Sequence, residues 1–161
     1  MLLWYLGVSV AFVWSVFRSP ALDYRLVMLG SILPTLDVVF GGPRLLHTLG
    51  FAVALLLVVM LATRHRRLLR RRLISLPIGL LMGLVLDGSW SSEHVFWWPF
   101  AGTELPNGGL PELHRSPVVL VVLEVIGALA LAWCWRTFGW SDRDNRSLFW
   151  RTGHLNRELL R

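Results

Sequence analysis

The sequence predicts an all-α integral membrane bundle of about five spans, and three observations carry that prediction. Of the 161 residues, 55% are hydrophobic and only 16% are charged, with a mean hydropathy of +0.57. A soluble domain of this length exposes too much surface for such a composition. The apolar residues also fall into runs that approach the length needed to cross about 30 Å of hydrocarbon. Finally, the arginines gather between and beside those runs in the manner of the positive-inside rule.

The first run covers residues 2–17 and stops at Arg18, Ser19 and Pro20. No basic stretch precedes it and no small-residue cleavage site follows it, so it reads as a retained span rather than a signal peptide. Asp23, Tyr24 and Arg25 form a brief polar connection to the second run, 26–40, which contains Pro34 and ends at Gly41-Gly42-Pro43. Pro43 suits the first turn of a third helix, which carries His47 and the run 51–62. An arginine-rich loop, 64–72, leads to the fourth run, 73–86, which ends at Asp87. The stretch 88–116 is the longest polar connection, broken by Pro99, Pro106 and Pro111. The fifth run is 117–138, and the basic tail 139–161 is expected to form a surface helix near 148–160. Residues 1–138 therefore read as one transmembrane domain with an outer loop at 88–116, and 139–161 as a cytoplasmic tail.

Placing the 64–72 loop in the cytoplasm puts the N-terminus outside and the C-terminus inside a bacterial plasma (inner) membrane. Arg18, Arg25, Arg136 and the five arginines of the tail then fall inside, and only Arg44 and Arg115 fall outside. The formal charge of +6 is thus a topology signal, and no nucleic-acid partner is expected. Membrane lipid is the expected surrounding partner, with a second membrane protein as a further candidate. The lone Cys134 excludes an intrachain disulfide and a cysteine-rich metal site.

That topology brings four ionisable groups to one side: Asp37, His47, Asp87 and, about 10 Å down the fifth span, Glu124. Taken singly, each has a plain reading: Asp37 and Asp87 as helix-end residues, His47 as a hydrogen-bonded packing residue, Glu124 as an ion-paired or protonated acid. Taken together, they form an oxygen and nitrogen donor set suited to a divalent Zn, Mn or Mg ion, which activates water for hydrolysis. In that reading Asp37, His47 and Asp87 are metal ligands, Asp87 and Glu124 are the catalytic carboxylates, and Arg44 orients an anionic head group. Trp90, Trp97 and Trp98 read as an interfacial aromatic belt or as a substrate-contacting shelf. The soluble-enzyme signatures HExxH, the phosphate-binding Gly-rich loop and the nucleophile elbow are all absent.

The elements Leu33-Pro34-Thr35-Leu36-Asp37, Arg44-Leu45-Leu46-His47-Thr48 and Gly83-Leu84-Val85-Leu86-Asp87, followed by Trp97-Trp98-Pro99-Phe100, appear in that order. In order and spacing this resembles the YdjM-like family of membrane-bound metal-dependent hydrolases, over residues 26–100. The resemblance implies a metal site facing the outside and a lipid-linked or envelope substrate. Thr35 stands where the family pattern has an acid, and Gly83 where it has a histidine, so the chain reads as a divergent member. Two functions follow as expectations: a membrane-embedded metal-dependent hydrolase or its degenerate homologue, and a non-catalytic interaction or lipid-binding protein whose polar layer is structural.

Overall fold

A computed structural model describes residues 1–40, 45–100, 102 and 115–156, with the backbone alone for 38–40. The described residues contain helices and no strand, as the all-α expectation requires. Helix α1 spans Leu2–Phe17 and ends where Arg18 takes a left-handed conformation. Helix α2, Tyr24–Ile32, is capped by the Asp23 carboxylate, which accepts the Arg25 N–H. Pro34 has no N–H to continue the α ladder, and the chain tightens into the 3₁₀ stretch Leu33–Phe40.

The third helix begins later than Pro43 suggested. Leu45–His47 forms a separate 3₁₀ turn, Thr48 is extended, and α3 runs Leu49–Ala62 with the Thr48 hydroxyl accepting the Phe51 N–H. The break at Thr48 frees His47 from the helical ladder and lets its side chain turn inward. Pro43 itself lies outside the described residues. The arginine stretch expected as a loop is largely helical, as α4, Arg67–Leu73. After Ile74 the chain continues as α5, Ser75–Asp87, which Gly88 ends at a φ of 80°.

A short α6, Glu93–Phe96, interrupts the long connection. Ser116 caps α7, Pro117–Thr137, with Pro117 in its first turn. The tail helix α8 is Arg143–Thr152, five residues earlier than expected, because Asp142 caps its start and Gly153 closes it at a φ of 75°.

Two tight pairs organise the packing: α2 lies along α5, and α1 along α7. Small residues make both possible. Gly79 and Gly83, four apart on α5, face the backbone of α2: a Cβ at Gly83 would sit 2.5 Å from the Ser31 carbonyl oxygen, and one at Gly79 would overlap that of Val27. Gly7 and Gly127 meet in the same way between α1 and α7. This close-approach geometry is the common device of helices that pack without a hydrophobic driving force. Towards the arginine end, Trp14, Tyr24 and Phe138 stack edge on edge, and the core there extends to Val27, Trp140 and Phe149.

The outward faces are apolar. On α7 only Gly127 and Cys134 are buried, while Val118, Val121, Leu129 and Trp133 are exposed. On α3, Val53, Leu57, Val58 and Leu61 are likewise exposed. Among the described residues α7, with 21 residues, is the one helix long and apolar enough to cross a membrane; α1 and α3 are shorter apolar helices.

Candidate functional site

Three separated segments converge at one end of α5. Asp37, within α2's 3₁₀ extension, accepts the Leu46 N–H at 3.0 Å and lies 2.9 Å from His47 Nδ1. The carboxylate thereby closes the Leu45–His47 turn and sets the orientation of the imidazole. The opposite ring nitrogen, Nε2, lies 3.5 Å from Asp87 Oδ2. The Tyr5 hydroxyl donates to Asp87 Oδ1 at 3.3 Å, and the Ser89 hydroxyl donates to Oδ2 at 2.5 Å. Arg115 donates to the Asp87 backbone carbonyl, and Trp4 Nε1 to that of Leu86. His47 and Asp87 are each only 1% exposed.

The result is a carboxylate–imidazole–carboxylate chain tied to α1, to the start of α7 and to both ends of the 37–47 segment. Hydrogen bonds hold Asp37 and Asp87 in place, and a 3.5 Å contact joins His47 Nε2 to Asp87, so these buried polar groups have partners. Tyr5, Ser89 and Arg115 had no place in the expected site. Ser89, two residues past Asp87 and beyond Gly88, carried a detectable signal as a turn hydroxyl beside an acid; Tyr5 carried none.

Glu124 stands apart from this chain. Its Oε2 accepts the Leu3 N–H at 2.8 Å and its Oε1 pairs with the Met1 amine at 3.0 Å. It thus satisfies orphan N–H groups at the start of α1. Arg44 lies outside the described residues. Trp90 and Trp97 are exposed; Trp98 is half-buried, and its Nε1 is buried without a hydrogen-bond partner.

The donor set is short for a metal. Among the described residues no three His, Cys, Asp or Glu side chains are grouped to hold an ion. The reason is geometric: Asp37 and Asp87 face opposite edges of the His47 ring, so an ion at Nε2 is out of reach of Asp37. Glu124 is committed to α1. The two positions where the hydrolase pattern has further ligands are also spoken for. Thr35 returns its hydroxyl to the Ile32 carbonyl at 2.7 Å, and Gly83 is pressed against Ser31 with no room for a Cβ. Among the described residues, one ion at this point would find two protein donors, His47 Nε2 and Asp87 Oδ2.

A second buried charge lies at the other end of α5. Asp23 is fully buried and receives Arg25 at 3.2 Å and Arg72 at 2.9 Å. Its own N–H donates to Ser75 Oγ at 3.0 Å. Burial works to raise the Asp23 carboxyl, and the hydrogen bonds and charges of Arg25 and Arg72 outweigh it, holding the group below the ordinary carboxylate range. The cluster also collects the tail: Arg25 donates to the Trp150 carbonyl at 2.7 Å, Tyr24 N–H to the Gly153 carbonyl at 2.9 Å, and Leu155 N–H to the Pro20 carbonyl at 3.0 Å.

No family model, curated protein or solved structure matches the chain.

Proposed function

We propose that this chain is a multi-pass helical protein of the plasma (inner) membrane in which the Asp37–His47–Asp87 chain joins helices and does not hydrolyse a substrate. It is a degenerate relative of the YdjM-like metal-dependent hydrolase pattern, with membrane lipid or another membrane protein as its partner. The apolar outer faces of α3 and α7 support the membrane reading, and the arginine distribution supports five spans with the N-terminus outside. The observation that carries the non-catalytic reading is Gly83. The position where the pattern has a histidine is occupied by a helix–helix contact, so the missing ligand cannot be restored without separating α2 from α5.

One observation favours the hydrolytic alternative. Two ligands of a tetrahedral zinc, at about 2.0–2.2 Å each, lie about 3.4 Å apart, and His47 Nε2 and Asp87 Oδ2 are separated by 3.5 Å. Asp37 on Nδ1 is also the kind of partner that orients a metal-bound histidine.

Metal analysis separates the two. Purified protein equilibrated with Zn²⁺ or Mn²⁺ and then desalted is expected to retain well under one ion per chain, with His47→Ala no different. Retention of one ion per chain, abolished in His47→Ala, overturns the structural reading in favour of the hydrolase.

A further inference from the structure

A cavity of about 750 Å³ lies beside the Asp23 cluster between α4 and the segment from α8 onward. Its size falls in the range of small-molecule sites. Its walls are of two kinds. Arg71 and Arg72 of α4 and His154 after α8 supply nitrogen, while Leu68 and Leu69 of α4 and Leu148 of α8 supply hydrocarbon. No acid lines it.

Among the described residues the charge balance around the cavity is positive. Asp23 is the one buried carboxylate nearby among the described residues, and it is already matched by Arg25 and by Arg72 Nε. Arg71 is exposed and makes no ion pair with a described residue. His154 is held by its Nδ1 against the Leu22 carbonyl at 3.3 Å, which fixes the ring at the cavity wall. Next to these polar groups the apolar surface is unusually open: Leu68 is 86% exposed and Trp150 on α8 is 70% exposed. A free anion has no use for that leucine surface, whereas a phosphate carried on acyl chains satisfies both walls at once.

The geometry points to a binding site for an anionic phospholipid, its phosphate received by the Arg71 and Arg72 guanidinium groups and its chain lying on Leu68, Leu69 and Leu148. The site rests on the membrane reading above. It is distinct from the Asp37–His47–Asp87 chain, which lies at the far end of α5.

The test uses full-length protein in neutral detergent micelles, where no charged surface attracts the arginines collectively. Phosphatidylglycerol is titrated in and binding followed by the rise in the thermal unfolding midpoint, with phosphatidylcholine and inorganic phosphate as separate arms. Phosphatidylglycerol alone is expected to protect. Arg71→Ala is expected to weaken that protection about tenfold or more, as loss of a charged hydrogen bond does, and Leu68→Ser to weaken it by a smaller factor. Arg67→Ala removes the same charge from the same helix but lines no part of the cavity, and should stay within about twofold of wild type.

Equal losses in Arg71→Ala and Arg67→Ala mean diffuse attraction and overturn the site. Protection by inorganic phosphate to the same extent overturns the lipid assignment, and no protection by phosphatidylglycerol overturns both. Carbonate extraction of membranes from expressing cells tests the premise separately. Release of wild-type chain into the soluble fraction defeats the membrane reading itself, whereas retention of wild type and Arg71→Ala alike isolates any failure to the cavity.

Discussion

The two ends of α5 hold buried charge in opposite ways. At Asp87 a histidine stands between two carboxylates; at Ser75 a carboxylate stands between two arginines. Thirteen residues of helix separate them, about 18 Å along the axis. The first cluster draws its groups from loops and helix ends and is closed on every side. The second is closed at the carboxylate and open at the guanidiniums, with Arg72 about half exposed. On the reading proposed above, burial alone does not mark a functional site. The closed cluster joins helices, and the open one leaves cationic donors facing a cavity.

The comparison is most easily broken at Asp23. Asp23→Ala removes the N-cap of α2 and leaves Arg25 and Arg72 without their anion, at a cost of about 3 kcal/mol read by chemical or thermal unfolding in detergent. A cost below that of Asp87→Asn would mean the open cluster is not the stronger tie. The same residue sets a pH response. Its folded carboxyl titrates below the unfolded value of about 3.8, so its contribution is fully present above that value. It is lost as pH falls through the lower folded pKa. Asp23→Asn should flatten that acid limb of the stability profile.

Next in size is Gly83. Gly83→Ala puts a methyl group 2.5 Å from the Ser31 carbonyl oxygen and is expected to cost about 2 kcal/mol or more by forcing α2 and α5 apart. A neutral Gly83→Ala would remove the main argument against a histidine there. The smallest expected effect is Asp87→Asn. It keeps the shape, takes the negative charge from His47 Nε2 and should cost about 1–2 kcal/mol by the same unfolding measurement.

How much of this was legible in the sequence depends on the kind of signal. Asp37, His47 and Asp87 could be brought together before any coordinates, because three ordered motifs pointed at one depth. Glu124 could not be placed, since counting 1.5 Å per residue gives depth but not the face of the helix. The Gly7–Gly127 contact turns that face towards the start of α1. Asp23 read as part of a brief connection, although an aspartate directly ahead of an apolar run is an N-cap signal. Its arginine partner Arg72 is 49 residues away and had no local signature. Helix starts were misjudged where a capping side chain was passed over: Thr48 begins α3 in place of Pro43, and Asp142 begins α8 well before Leu148. Gly83 read as a ligand missing from a motif. In the folded chain it is one of two glycines, four apart, on which α2 rests.

The unequal lengths of neighbouring helices carry one more consequence. Helix α7 has 21 residues and α1, packed along it, has 16, which at 1.5 Å per residue is about 31 Å beside about 24 Å. In a bilayer with a hydrocarbon layer of about 30 Å, α7 matches the layer and α1 falls short of it. Lipids next to the short flank must compress while those next to α7 need not. On the membrane reading proposed above, this mismatch imposes a one-sided dimple on the bilayer and favours shorter acyl chains on that flank.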